Sequence, residues 1–379
     1  MNLGERCDLL LFLPSLRGGG AERAMVGVAN ALQERGARVV LVLAQAEGPY
    51  LTELNPAIPV VDLKRARVSR CVLALSRAII HWRPRSVMSA MRHANAVLVA
   101  AHALSRVFGV GPRLVLSEHG HMAAYLATNQ SARVVWASRI GGWLYRRADT
   151  IITVSDALAD SLREELGRRA PTVVAIPNPI ITAELLEQAQ EPAPHPWLLD
   201  RGIPVMVAAG RLSPEKGYDV LISAFAMVLA RRPARLLLLG TGPLLVALRD
   251  QAAALGITEY VCFPGFALDI GAWLSRARLF VLSSRAEGLP SVLIQAMACG
   301  VPVVSTDCAT GPAEILDGGR WGALVPVDDI DALAKAIETT LSATSTPLPA
   351  HVLARFHPAP VAAQYAVALG IALPTAVVI

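Results

Sequence analysis

The sequence predicts an α/β protein of two Rossmann-like domains, each a doubly wound parallel sheet. Three observations predict it. Short apolar runs alternate with helix-patterned stretches along most of the 379 residues. The rhythm occurs twice, on either side of a proline-rich stretch. Glycine-bearing loops follow several of the apolar runs, where a strand would hand over to a helix.

In the first half, "CDLLLFLP" suits a buried parallel strand. The glycine loop "RGGGAER" follows, then the helical pattern "AMVGVANALQERG", which Gly36 stops. "ARVVLVLA", "SVMSA", "RLVLSEH" and "TIITVS" read as further strands with helices between them. The second half restarts with strand "PVMVAAGRL" and helix "GYDVLISAFAMVLARR". Strand "ARLLLLGTG", helix "PLLVALRDQAAALG" and strands "VCFPGF" and "LFVLSS" come next. A loop and short helix, "SRAEGLPSVLIQAMACG", precede strand "VPVVSTD" and helix "IDALAKAIETTL". "IPNPIITAELLEQAQEPAPHPW" is rich in proline and reads as an irregular linker. The expected division is residues 1–178, residues 179–358, and a C-terminal helix in 359–379 with a return to the first domain as one option. The residues after Pro374 read as peripheral. Two such domains facing each other would bind ligands in an interdomain cleft, at the carboxyl ends of their strands.

Composition narrows the classes. Apolar residues are 54% and charged residues 17%, which fits a folded chain and not a disordered one. No apolar run reaches the ~18 residues of a membrane span. Glu5 and Asp8 argue against a secretory leader. The five cysteines show no CxxC spacing and read as reduced, partly buried thiols of a cytosolic protein. Residues 1–180 hold 22 Lys+Arg against 13 Asp+Glu, a net of +9, whereas the remainder is at −4. Such asymmetry points to an anionic partner for the first half.

The chemistry-bearing residues fall mostly at strand ends. Arg211 and Lys216 in "GRLSPEKG" stand between a strand and a helix, and two cations there suit a diphosphate. Lys216 is one of only three lysines, against 32 arginines, which favours a role modestly. Gly240 and Gly242 in "LLLLGTGPL" either admit a ligand to the backbone or make a tight turn. Pro264 and Gly265 would shape a loop whose backbone can meet a flat base. Pro290 suits the first turn of a helix whose free N–H groups, around Gly288 to Ser291, favour negative charge. Glu287 before them is either a helix-terminus acid or an acceptor for sugar hydroxyls. In the first half, "LRGGGAER" offers close backbone approach, without the spacing or the acid of a nicotinamide site. "SEHGH" sets Glu118, His119 and His121 at a strand end, for hydrogen bonding, proton handling or a capped turn. A metal site has no further Cys or His at usable spacing.

Two segments carry the charge. "KRARVSRCVLALSRAIIHWRPR" (64–85) has seven cations and no acid, with Val68, Val72, Leu75 and Ile79 at helical spacing. "RVVWASRIGGWLYRR" (133–147) mixes arginines with two tryptophans and Tyr145. Together they suit an anionic membrane surface; the alternative is helices packed on a sheet with a solvated basic face. No nucleic-acid module is recognisable.

In order along the chain, "GGGAER", "SEH", "NP", "GRLSPEKG", "GTGP", "PGF", "EGLPSVLIQAMACGVPVVSTD" and "GPAEIL" resemble the family 4 retaining glycosyltransferases of the GT-B fold. The resemblance covers roughly residues 8 to 366 and looks most like bacterial enzymes that extend lipid-linked or surface polysaccharides. It implies a hexosyl transfer from a nucleotide diphosphate sugar, UDP-linked by preference, without metal or cofactor. It further implies that Arg211 and Lys216 hold the donor diphosphate and that Glu287 contacts the sugar. Gly288, Leu289 and Pro290 would bring amides to sugar and phosphate, with Gly210, Gly242 and Gly265 lining the donor site. Gly19 and Gly20 would lie beneath the phosphates, and His119 near the reaction centre. The expected place is the inner face of the cytoplasmic membrane, held peripherally. One departure stands out: the second acid of the family's E-x7-E motif, which holds the ribose, is Gln295 here. Gln accepts a hydrogen bond without charge, a loss on the order of 1 kcal/mol in donor binding. Gln295 keeps open the alternative of a weakly active or non-catalytic nucleotide-sugar-binding scaffold. A sugar-nucleotide epimerase is a third reading.

Overall fold

The structure is a computed structural model that describes residues 6–17, 19–120, 142, 144–200, 202–344 and 347–374. The chain divides into two compact units, residues 1–180 with 355–379, and residues 181–354.

The first unit is built on a seven-stranded parallel sheet in the order β3-β2-β1-β4-β5-β6-β7. Its strands are β1 (Leu9–Leu13), β2 (Val39–Leu43), β3 (Val60–Asp62), β4 (Ser86–Ala90), β5 (Arg113–Glu118), β6 (Thr150–Thr153) and β7 (Thr172–Ala175). Helices α1 (Gly20–Glu34), α2 (Val72–Trp82), α3 (Arg92–Val107) and α4 (Asp156–Leu166) cover it. β1, β2 and β4 are buried at every position. Strands buried on both faces read as continuous apolar runs, which is why these were visible in sequence. One face packs on α1 and on a helix from the chain's end; the other packs on α2, α3 and α4.

The second unit repeats the plan with six parallel strands in the order β10-β9-β8-β11-β12-β13. They are β8 (Val205–Ala209), β9 (Arg235–Leu239), β10 (Val261–Gly265), β11 (Leu279–Leu282), β12 (Val303–Thr306) and β13 (Ala323–Val325). The helices in chain order are α5 (Ala183–Gln188), α6 (Tyr218–Leu229), α7 (Leu245–Ala254), α8 (Ile270–Leu274), α9 (Ser291–Ala298), α10 (Pro312–Ile315), α11 (Ile330–Ser342) and α12 (Ala350–Leu353). In each sheet the strand order reverses once, between β1 and β4 and between β8 and β11. At such a reversal the loops leave to opposite faces and open a crevice at the carboxyl ends.

Two details differ from the sequence reading. β3, β7 and β13 were not foreseen, and all three are edge strands with exposed or half-exposed positions. An edge strand pairs on one side only, so its apolar signal is weak. The proline-rich linker holds α5, which Thr182 caps by accepting the Leu185 N–H at 3.2 Å. The Gln188 side-chain amide oxygen then accepts the Gly271 N–H, which seats α5 on α8. The last helix, α13 (Pro358–Leu369), packs on α1 within the first unit. Its carbonyls at Ala368 and Leu369 accept hydrogen bonds from the Arg113 guanidinium and the Ser86 hydroxyl. Residues 375–379, read as peripheral from sequence, lie outside the described residues.

Candidate functional site

The second unit brings most of the candidate residues to one crevice. β8 and β11 are neighbours at the reversal, so the loops that leave them meet. The first loop carries Gly210, Arg211 and Lys216; the second carries Glu287 to Pro290 and enters α9. Lys216 Nζ donates to Glu287 Oε1 at 2.5 Å. Ser284 Oγ donates to the same oxygen at 2.6 Å. The Thr310 hydroxyl donates to the Glu287 backbone carbonyl. The Lys216 and Glu287 side chains are only 20% and 10% exposed, so solvent screens this pair less than a surface one. Ser283 Oγ donates to the Lys216 carbonyl at 2.8 Å and ties the two loops a second time. A fork from Arg285 to Asp219, at 3.0 and 2.7 Å, ties the Glu287 loop to α6 as well.

Glu287 is therefore not a simple helix-terminus acid. Its Oε1 takes two donors, while no bond to Oε2 forms among the described residues. Arg211 is exposed, with no side-chain partner among the described residues. An uncompensated cation, a paired cation and the N-terminus of α9 thus gather at one crevice, an arrangement suited to an anionic ligand. Leu289 is buried, and Gln295 is half-buried one turn into α9. Pro290 is the residue that precedes the first turn of α9, not part of it.

The glycines separate into two groups. A Cβ on Gly240 would lie 2.0 Å from the Gly210 carbonyl oxygen, and one on Gly242 would lie 2.4 Å from that of Leu212. These two glycines let the β8 and β9 loops touch, so the tight-turn reading accounts for Gly242. Gly265 belongs with them as backbone: its carbonyl accepts the Gly240 N–H at 2.7 Å. Gly19 and Gly20 differ. A Cβ on Gly20 meets nothing within 4 Å, and one on Gly19 makes only ordinary contact with Glu22. Packing within the unit does not require glycine at either position.

In the first unit, strand alternation splits the end of β5. Glu118 points to the α3 face, buried, where Tyr145 Oη donates to it at 2.7 Å and the Arg92 guanidinium pairs with it at 2.9 Å. Asn95 donates to the Ser117 carbonyl and to Tyr145 Oη, and accepts from Ser89. Ser117 and His119 take the opposite face, with Ser117 Oγ 3.1 Å from His119 Nε2. Burial pushes the His119 imidazole down to about 4, so it is neutral near pH 7. The sequence reading missed Ser284, Thr310, Arg92 and Asn95. The only signal for Ser284 was its place three residues before Glu287.

The basic segment 64–85 is also resolved by the fold. All seven of its cations are exposed. Leu75 and Ile79 are buried, and Val68 and Val72 pack on the same core. The apolar stripe therefore serves the sheet, and only the cationic face is left for a partner. Tyr145, read as part of a membrane surface, is 3% exposed and bonded to Glu118. The rest of segment 133–147, apart from 142 and 144–147, lies outside the described residues, as does His121. No described helix is long and apolar enough to cross a membrane. Among the described residues no three His, Cys, Asp or Glu side chains gather as a metal site would need. The five cysteines are free, and burial pushes Cys7 and Cys308 up to about 12 and Cys299 to about 11, which makes them poor nucleophiles.

Comparison with known proteins gives this architecture its family. Residues 18–184 match the Glycosyltransferase Family 4 domain, and residues 203–343 match Glycosyl transferases group 1. The chain belongs to these glycosyltransferases, with the two-Rossmann GT-B fold. It is 27% identical over 333 residues to LpsE of Rhizobium meliloti, a lipopolysaccharide core biosynthesis glycosyltransferase, covering 86% of this chain and 87% of that one. An exopolysaccharide phosphotransferase of Streptomyces coelicolor is 37% identical over 191 residues, 50% of this chain. The chain spans only 19% of that relative's length. The solved structure of Anabaena HepE in complex with UDP-glucose superposes with a TM-score of 0.78 at 23% identity, covering 96% of this chain and 100% of that one.

Proposed function

We propose that this protein is a retaining hexosyltransferase that takes a UDP-linked sugar and glycosylates a lipid-linked or polysaccharide acceptor in bacterial surface glycan synthesis. The observation that carries the proposal is the crevice of Arg211, Lys216, Glu287 and the α9 N-terminus. HepE, which shares the fold, was solved with UDP-glucose, and LpsE carries its role in lipopolysaccharide core biosynthesis in its name.

In this mechanism the work is electrostatic. As the glycosidic bond breaks, negative charge grows on the departing nucleotide diphosphate. Arg211, Lys216 and the α9 amides stabilise it there, with no metal or cofactor assigned to the step. Glu287 Oε2, left open while Lys216 and Ser284 hold Oε1, accepts sugar hydroxyls. The acceptor hydroxyl attacks on the leaving-group side, which retains the anomeric configuration. The exposed cations of 64–85 hold the protein peripherally on an anionic membrane, where a lipid-linked acceptor is presented.

The test is a screen of nucleotide sugars with nucleotide release as readout, followed by Arg211→Ala and Lys216→Ala. Each variant is expected to lose two to three orders of magnitude in kcat/KM, roughly the loss of one preorganised charge partner, while remaining folded. Near-normal transfer by both variants refutes the assignment. The scaffold reading rests on Gln295 alone, and tight nucleotide binding by the wild type without turnover on any donor would favour it.

A further inference from the structure

Lys216 ends a single 3₁₀ turn, Pro214–Lys216. One turn has too few hydrogen bonds of its own to fix its shape. Each of its three carbonyls accepts a donor from the segment that leaves β11. Arg285 Nη1 donates to the Pro214 carbonyl at 2.7 Å, and the Arg285 backbone N–H donates to that of Glu215 at 2.8 Å. Ser283 Oγ donates to that of Lys216 at 2.8 Å. The two segments run so close that a Cβ on Gly217 would lie 2.1 Å from the Ser283 carbonyl oxygen. The Arg285 guanidinium is itself aimed by two elements. Asp219, in the first turn of α6, accepts from Nη1 and Nη2 at 3.0 and 2.7 Å. Asp328, after β13, accepts from Nε at 2.6 Å. These carboxylates fix the plane of the fork and turn the other Nη1 proton to Pro214. A lysine would carry the same charge without this planar set of donors.

We infer that Arg285 is a positioning residue for Lys216. Clamped by Asp219 and Asp328, its guanidinium and backbone hold the turn so that Lys216 Nζ stands at Glu287 Oε1. Arg285 acts through Lys216 and is not placed on the donor. Its weight in catalysis rests on the role proposed above for Lys216; the clamp itself does not.

The chain has only three lysines, Lys64, Lys216 and Lys335. NMR of the full chain labelled with carbon-13 at lysine Cε therefore reads Lys216 directly, with no donor present. Its signal is assigned by its loss in Lys216→Arg. Arg285→Gln should displace the Lys216 signal and leave Lys64 and Lys335 in place. Asp328 has φ 62, a left-handed conformation that asparagine also tolerates. Asp328→Asn should therefore keep the backbone and displace Lys216 in the same direction by less. An unchanged Lys216 signal in both variants overturns the inference. So does an equal displacement of Lys335, which would mean general loosening of the unit. The second readout is turnover of a UDP-sugar. Arg285→Lys should lower kcat on the order of a hundredfold, the cost of misplacing a working group by about 1 Å, with the donor KM little changed. Lys216→Ala combined with Arg285→Lys should be no slower than Lys216→Ala alone. A wild-type kcat in Arg285→Lys, or losses that multiply in the double variant, would show that Arg285 does not act through Lys216. Absence of turnover by the wild type on any donor would refute the glycosyltransferase reading and leave the lysine spectra as expected.

Discussion

Gly20→Ala separates a glycine kept for a ligand from one kept for the fold. Gly20 opens α1, and the added methyl meets no atom within 4 Å. The backbone is already helical there, so no strain is introduced. Alanine is favoured over glycine by ~1 kcal/mol in a helix interior. At the first helical position about half of that is expected, a gain of ~0.5 kcal/mol. For a unit of this size that is a rise of ~1–2 °C in Tm. If the loop lies against the donor phosphates, the same methyl displaces them by about 1 Å, and such a misplacement costs on the order of a hundredfold in turnover. The signature is a protein that melts slightly higher and works far worse. Scanning calorimetry and nucleotide release from a UDP-sugar measure the two halves. Unchanged turnover at an equal or higher Tm would show that no ligand approaches this loop. A clear loss of stability would show that the open space at Gly20 has been misread.

Four other outcomes follow from the same geometry. Gly240→Ala places a methyl 2.0 Å from a carbonyl oxygen at a positive φ, so denaturant unfolding should show a loss of about 3 kcal/mol or more, or no soluble protein. Gln295→Glu should tighten UDP binding about fivefold by calorimetry if the side chain meets the ribose, and leave it unchanged if it does not. His119 has a folded-state pKa below its unfolded value, so the unfolded chain binds the proton first and stability falls as pH drops from about 6.5 towards about 4. The loss is up to ~3 kcal/mol, and His119→Gln should flatten that limb of a pH-dependent unfolding series. Neutralising Arg67, Arg70 and Arg77 together should weaken sedimentation with anionic vesicles by about a hundredfold at low salt, at ~1 kcal/mol per cation, and high salt should abolish the difference.

Buried central strands and their strand-end loops were legible in the sequence because burial on two faces leaves an uninterrupted apolar run. Edge strands β3, β7 and β13 were not, because each is only partly buried. The same logic governs the site. Lys216 and Glu287 were both visible as residues, yet their direct bond was not, since it depends on β8 and β11 lying side by side across 71 residues of chain. Glycine spacing misled at Gly242, where a motif that suggested ligand approach is accounted for by loop-on-loop packing. Segment 64–85 misled in the opposite way. Its cations are exposed, with Arg85 paired to Asp8, but its apolar stripe belongs to the core.

The bond between Lys216 and Glu287 alters how the two cations should be weighed. In the free site Lys216 is already matched by a carboxylate, so under the proposed function an arriving diphosphate would meet one uncompensated charge, on Arg211. Lys216 must then be shared between ligand and Glu287. Without a second anchor that sharing would release Glu287 and lose the orientation of its free oxygen. Ser284 supplies the anchor on the carboxylate and Thr310 supplies one on the backbone. Both are buried, as are the strand ends that carry them, which limits the freedom of either hydroxyl to turn away. Arg211 is therefore suited to capture and Lys216 to the later growth of charge on the leaving group. Under this division Arg211→Ala should raise the donor KM more than it lowers kcat, and Lys216→Ala should do the reverse. Equal effects of the two variants on both constants would mean that the cations act as one unit and that the ion pair seen here has no part in dividing their work.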